Sequence, residues 1–319
     1  MKQAFLSVVI PVYNEAESLP ELYNALVSGI NECKANGIED YEIWFISDGS
    51  TDGSDEVIKK LMETSSKIGY VSFRKNFGKA AALQAGFKQA RGDIVVTMDS
   101  DLQDDPADIK NIVSKLQEGY DVVSGWKVNR QDNAEKRLPS KLFNKVTAVA
   151  SGIKLHDFNC GFKAYRKEVV KNIDLYGELH RYIPILANRK GFRIAEIPIT
   201  NHKRKYGKTK YGFERYLRGM FDSITTSFLS KYYDRPMHFF GRLGLVLFLI
   251  GFAVCAILAI QWFMGESIGN RPLLILGILC IILGVQSIST GFIGDLIVDS
   301  TWRSRNSDGH IKEIFPPSV

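Results

Sequence analysis

Two carboxylates on alternate residues, Asp99 and Asp101, stand in the run VVTMDSDLQDDP, with the amide oxygen of Gln103 two positions further on. Hard divalent cations take oxygen ligands, and Mg2+ in particular is held by one or two carboxylates while substrate phosphates complete its shell. Asp99, Asp101 and Gln103 are therefore the expected ligands of Mg2+ or Mn2+, where the cation would offset charge building on a diphosphate leaving group. An acidic turn taken alone is more often a solvated loop or a helix start, so this reading depends on its company. His156, His180 and His202 lack the helical or turn spacing of a metal site and read as structural or phosphate-adjacent. Cys33, Cys160, Cys255 and Cys280 are scattered without a CxxC pair, which implies reduced, structural thiols rather than zinc ligands or disulfides.

A turn that does chemistry needs elements behind it. Short apolar runs bounded by Gly, Asp, Asn or Ser predict strands at 7–11, 41–47, 69–73, 93–98 and 121–125. Helical periods between them predict helices at 18–31, 54–63, 80–90 and 106–118. Continuous apolar strands alternating with helices imply an α/β fold, a mostly parallel sheet covered on both faces. In such sheets ligands bind beyond the carboxyl ends of the strands, so the polar clusters that close each strand are the places to look. The run Phe5–Val12 is short, broken by Ser7 and Pro11 and followed by Asn14 and Glu15, and reads as a first buried strand rather than a signal peptide.

Those clusters are VVIPVYNE at 8–15, FISDGSTDGS at 45–54 and FRKNFGKAAALQAGF at 73–87, followed by the DSDLQ segment. Together and in this order they resemble the family 2 glycosyltransferases, over about two thirds of the chain. The resemblance implies the GT-A (Rossmann-like) fold, a nucleotide-sugar donor and an inverting displacement. It assigns Pro11, Tyr13, Glu15 and Asp48 to the nucleotide, Lys79 to the donor phosphates, and Asp99 to both donor and metal. The family usually has two adjacent Asp residues where this chain has Ser47-Asp48, so the choice between UDP and GDP stays open.

Further motifs, GFKAYRKEVV at 161–170, GELHRYIPILANRKGFRIAEIPI at 177–199 and HKRKYGKTKYGFERYLRG at 202–219, resemble the polyprenyl-phosphate branch of that family. This branch includes dolichol-phosphate mannose synthases and bacterial undecaprenyl-phosphate glucosyltransferases. The implied acceptor is polyprenyl phosphate. Arg204, Lys208 and Lys210, beside Gly207, would cradle its phosphate, with a second basic set at Arg130, Arg137 and Lys141. General attraction to anionic lipid explains the same charges, at about 1 kcal/mol per Lys or Arg. Asp157, in LHDFNCGF, matches an acidic position near the family's reaction centre and is expected to orient the acceptor or act as a weak base. A lipid phosphate monoester, with a second pKa near ~6, is already largely ionised at neutral pH, so no strong base is needed. Asp101 is the residue expected to be essential.

Charge and length divide the rest. At 319 residues, the chain can bury one large core plus a small appendage. The net charge is +6, yet 201–242 alone holds ten Lys and Arg against Glu214, Asp222 and Asp234, which is +7 and leaves −1 elsewhere. So local a basic excess points to an anionic surface nearby. Within it, Phe213, Leu217, Met220, Ile224 and Phe228 recur at helical spacing, predicting an amphipathic helix at the membrane interface. Residues 243–265 and 272–294 contain no Asp, Glu, Lys or Arg and are each long enough to cross ~30 Å of hydrocarbon.

The expected layout is a catalytic domain at 1–200, a basic loop and juxtamembrane helix at 201–237, a transmembrane hairpin at 238–298 and a tail at 299–319. Arg235, Arg242, Arg303 and Arg305 flank the hairpin against Arg271 alone in its loop, which puts the domain and both termini in the cytoplasm. Gly251, Gly277 and Gly284 are weak signals for helix packing or homo-oligomer formation. The expected partners are a nucleotide-sugar, polyprenyl phosphate and an anionic membrane surface, not a nucleic acid. Two alternatives compete with this reading. A polysaccharide synthase would carry a QxxRW segment and usually more spans, and a non-catalytic membrane assembly subunit would not need Asp99, Asp101 and Gln103 intact.

Overall fold

The computed structural model describes residues 4–128, 153, 155–177, 179–203, 205, 232, 235–265 and 272–304. Two compact units divide the chain, 1–226 and 227–319.

The first unit is built on a seven-stranded sheet. Its strands are β1 (Ala4–Val12), β2 (Ile38–Ser47), β3 (Ile68–Ser72), β4 (Ile94–Thr97), β5 (Val122–Lys127), β6 (Lys163–Arg166) and β7 (Ile194–Ile199), in the spatial order β3-β2-β1-β4-β6-β5-β7. All neighbouring pairs are parallel except those of β6, which runs antiparallel to both β4 and β5. The reading from sequence located five of these strands. It did not place strands at β6 and β7, which lie within segments read only as acceptor motifs.

Successive side chains of a strand point to opposite faces, so a strand that is apolar throughout needs cover on both. Leu6, Val8 and Ile10 of β1 pack with Leu19, Leu22 and Leu26 of α1 (Leu19–Glu32) and with Ile109, Ile112 and Val113 further along the chain. Val9, between them, faces the other way with Ile46 and Val95. The α1 contacts recur every three or four residues, one stripe of a helix. Helices α2 (Ser54–Thr64), α3 (Lys79–Gln89), α4 (Ile109–Gln117), α5 (Lys167–Asn172) and α6 (Ile183–Arg189) complete the layers. Of these, α4 supplies Ile109, Ile112 and Val113 to the first face, and α3 and α6 supply Leu83, Phe87 and Ile183 to the second.

The order β3-β2-β1-β4 means that the chain moves outward from β1 on one side and resumes with β4 on the other. The crevice at such a reversal is where open α/β sheets bind ligands. It lies here between the loop after β1 and the loop after β4, and the β2 loop ends at the same edge. Because β6 is antiparallel, the loop that leads into it, 156–162, opens at this edge too.

The second unit holds helices α7 (Met237–Phe263) and α8 (Pro272–Ser304). Both are long and apolar enough to cross a membrane, and only 17% and 11% of their most apolar windows are buried. A core helix of a soluble domain would be mostly buried, and these are not. The pair is in close contact: a Cβ on Gly244 would stand 2.5 Å from the Gly284 carbonyl oxygen, and one on Gly251 2.5 Å from that of Gly277. Small residues at these positions let the two backbones touch. Asp295 of α8 accepts a hydrogen bond from the backbone N–H of Met237 at 3.2 Å, satisfying one of the free donors at the start of α7.

Candidate active site

The first two loops are stitched into one surface. Asn14, in the left-handed region at φ 55°, accepts from the N–H of Thr51 at 2.7 Å and donates its own N–H to Ser50 Oγ at 3.1 Å. The N–H groups of Glu15 and Ala16 are taken by Ser54 Oγ and Asp52 at 3.0 Å each. Tyr13 is 40% exposed at this surface. Pro11 and Glu15 are half-buried.

Asp48 holds the third loop. Its buried carboxylate accepts the N–H of Phe77 at 2.7 Å and that of Gly78 at 2.9 Å, fixing the third loop over the end of β2. Burial raises the Asp48 carboxyl above its ordinary value, and these two amides pull against the rise without cancelling it. Both oxygens are thus engaged, and any nucleotide contact would use their remaining lone pairs.

That third loop delivers Lys79, the first residue of α3, where the positive end of the helix dipole opposes a cation. Asp99, after β4, answers it with a direct ion pair between the Lys79 ammonium and Asp99 Oδ1. Burial alone would raise the Asp99 carboxyl, but the Lys79 charge outweighs it and holds the group down at about 2. Gly161 sits under the pair, where a Cβ would come within 2.6 Å of Asp99 Oδ1. Asp101 turns back to accept the N–H of Gln103 at 3.2 Å, and Leu102 between them is held in the left-handed region at φ 58°. Such strain in a non-glycine residue persists only where surrounding contacts fix it. Here Leu102 packs on the core and Ser18 Oγ donates to the Ser100 carbonyl at 2.8 Å.

These residues fit a divalent cation by their chemistry. The donors on offer are carboxylate and amide oxygens, and Asp99, Asp101 and Asp104 are all close enough to raise the Lys79 ammonium electrostatically. Among the described residues no three acidic, His or Cys side chains form a ready cage. Substrate phosphates would therefore have to complete the shell of a bound Mg2+ or Mn2+.

Around this centre lie further residues, of which Lys127 and Asp104 were not singled out by the sequence. Lys127, at the end of β5, pairs with the buried Asp104 at 2.6 Å and is held above its ordinary value by it despite burial. Burial and the charges of Lys79 and Arg181 push His180 down to about 2, so its ring is neutral beside Lys79. Segment 200–202 is tied to the acidic loop: His202 donates its N–H to the Gln103 carbonyl at 2.8 Å, its ring meets Asp105 at 3.0 Å, and the Thr200 N–H reaches Asp108 at 2.6 Å. Lys203, the next residue, therefore stands beside the acidic loop. Asp157 is buried, with Oδ1 accepting the Asn159 N–H at 3.0 Å.

Arg130, Arg137, Lys141, Arg204, Lys208 and Lys210 lie outside the described residues, as do residues 213–231 of the expected amphipathic helix.

Residues 7–174 match Glycosyl transferase family 2. The chain is 35% identical over 317 residues to the dodecaprenyl-phosphate galacturonate synthase of Rhizobium johnstonii, covering 97% of this chain and 93% of that one. It is 36% identical over 294 residues to the undecaprenyl-phosphate 4-deoxy-4-formamido-L-arabinose transferase of Shewanella sediminis, covering 92% and 87%. Among solved structures it resembles glucosyl-3-phosphoglycerate synthase from Mycobacterium tuberculosis in complex with Mn2+, uridine-diphosphate and phosphoglyceric acid. The TM-score is 0.53 at 18% identity, over 71% of this chain and 78% of that one, a likeness of fold.

Proposed function

The chain belongs to glycosyl transferase family 2, and from that premise we propose that it transfers a sugar from a nucleotide-sugar to polyprenyl phosphate, releasing a nucleoside diphosphate. The observation that carries this is the reach of the similarity. It extends past the transferase region at 7–174 to 97% of the chain, across both apolar helices, in a relative whose name specifies a polyprenyl-phosphate product. The two relatives share that acceptor and differ in the sugar, galacturonate in one and a formamido-arabinose in the other. The acceptor is thus the constant of the reading, and the sugar its variable.

In this reading the stitched surface of the first two loops, with Pro11, Tyr13, Glu15 and Asp48, takes the nucleotide. Lys79 faces the donor phosphates, and Asp99, Asp101 and Gln103 hold Mg2+ or Mn2+. When bound, the cation supplies Lewis-acid stabilisation of the diphosphate as it leaves. An oxygen of the lipid phosphate attacks the anomeric carbon from the face opposite the diphosphate, so configuration inverts. The phosphate arrives already ionised, and Asp157 orients it rather than removing a proton. Arg130, Arg137, Arg204, Lys208 and Lys210 receive its charge near the headgroups. The hairpin of α7 and α8 keeps the domain on the cytoplasmic face, where both substrates meet.

The test is incubation of the purified protein with undecaprenyl or dolichyl phosphate, Mg2+ and a panel of UDP- and GDP-sugars, followed by mass spectrometry. A metal-dependent sugar-phosphoryl-polyprenol from one donor is expected. Nucleotide-sugar consumption with no lipid product would overturn the acceptor assignment and leave only the transferase.

A further inference from the structure

The loop His156–Gly161 is gripped from two sides by charges that play no part in the reaction as described above. On one side is Glu196 of β7, whose side chain is only 9% exposed. Its Oε1 accepts the backbone N–H groups of both His156 and Asp157 at 3.0 Å, and its Oε2 stands 2.9 Å from the His156 N–H and 2.8 Å from His156 Nδ1. The His156 ring is stacked on Trp126 of β5 at 4.1 Å and 15°. On the other side is Lys163 of β6, 2% exposed, whose ammonium donates to the carbonyls of Cys160 and Phe158.

A carboxylate collecting the loop's amides and an ammonium collecting its carbonyls hold one peptide segment by its two opposite dipole ends. Packing alone gives no reason for this arrangement. Burying a charge is costly unless it is fully hydrogen-bonded, and apolar residues of similar volume often serve stability as well or better. The two charges have in common the segment between them, which contains Asp157. The far end of the same segment is anchored where Thr97 Oγ1 donates to the Gly161 carbonyl at 2.8 Å, directly under Asp99. Fixing the loop thus fixes the distance from Asp157 to the metal-ligating carboxylates.

We propose that Glu196, opposed by Lys163, is a positioning residue that holds the Asp157 carboxylate in register with Asp99 and the incoming acceptor phosphate. The proposal rests on the reading of Asp157 as the acceptor-orienting group. Misplacement of a reacting group by about 1 Å can cost on the order of 100-fold in rate, so Glu196 should matter to turnover although it touches no substrate.

The experiment is a double-mutant cycle on the full-length protein in lipid nanodiscs. The acceptor is undecaprenyl phosphate, and the donor is UDP-galacturonate or whichever nucleotide-sugar the panel turns over fastest. Glu196→Gln keeps the shape of the side chain and one acceptor oxygen but loses the charge. It should lower kcat by roughly 10- to 100-fold with the donor KM within about twofold, and it should have no further effect in a chain already carrying Asp157→Asn. Wild-type kcat in Glu196→Gln overturns the proposal, as does a loss that multiplies with that of Asp157→Asn. Wild-type turnover by Asp157→Asn alone would instead overturn the role of Asp157, which separates the two failures. Should Glu196→Gln not fold, Glu196→Asp, which retains the charge but retracts it by one methylene, carries the same cycle.

Discussion

Asp99 remains ionised because Lys79 is there, and the two side chains stay together only while both are charged. The folded carboxyl sits at about 2 against an ordinary 3.8. The pair therefore contributes stability in full above the unfolded value, and loses it as the pH falls through the folded one. Replacing Lys79 with Met removes the charge that lowers Asp99 and leaves the burial that raises it. The acidic limb of the kcat/KM profile should then move to higher pH, and the donor KM should rise. A limb that stays where it was would show that the acidic limb does not report Asp99. Asp101→Asn should reduce turnover by 100-fold or more, the order lost when a major electrostatic stabiliser of a transition state is removed, with an unchanged melting temperature. Retained activity would end the metal assignment. Asp99, Asp101 and Lys79 were legible because each sits in a local motif. Lys127 with Asp104, and Glu196 with the amides of His156 and Asp157, were not, since a pairing between a strand and a loop that are adjacent only in space leaves no spacing to read.

The elements that carry these residues were readable to different degrees. The first five strands announce themselves as apolar runs, and four helices between them by stripes such as Ile109, Ile112, Val113 and Leu116. β6 has four residues, one of them the buried Lys163, and β7 is mostly half-buried and includes a proline, so neither shows a clean strand pattern. Missing β6 hid a structural fact, because its antiparallel direction brings the Asp157 loop to the same edge as Asp99. Gly161 marks that junction. Gly161→Ala would put a methyl group against the Asp99 oxygens, forcing the carboxylate off its partner. The expected result is a 10- to 100-fold weaker Mn2+-dependent binding of whichever nucleoside diphosphate, UDP or GDP, the donor panel identifies, the range seen when groups supporting a metal ligand are disturbed. Isothermal titration with and without Mn2+ measures it. Equal affinity in the variant would mean that the loop yields and Asp99 does not.

At the scale of the whole molecule, two helices with most of their surface apolar and uncovered need a solvent other than water. Transfer of apolar area is worth about 25 cal/mol per Å2, and side chains such as Ile275, Leu296 and Phe263 are 71%, 68% and 81% exposed. Glycine contacts and the Asp295 cap hold α7 against α8, so the pair would enter a bilayer as a hairpin with both ends on one side. The proposed side rests on charge: Arg235, Arg242, Arg303 and Arg305 stand near the open end of the hairpin in sequence and Arg271 alone in its loop, and the positive-inside bias predicts that the end with the larger number is cytoplasmic. Cysteine labelling decides it with little background, because Cys33 and Cys160 are buried and Cys255 and Cys280 lie within the apolar helices. In right-side-out membrane vesicles, Ser267→Cys should react at once with a membrane-impermeant maleimide, and Ser307→Cys only after the vesicles are opened. Inverted vesicles should give the opposite order. If Ser307→Cys were the accessible one in right-side-out vesicles, the domain would face away from the cytoplasmic nucleotide-sugar pool and the proposed reaction would have no donor.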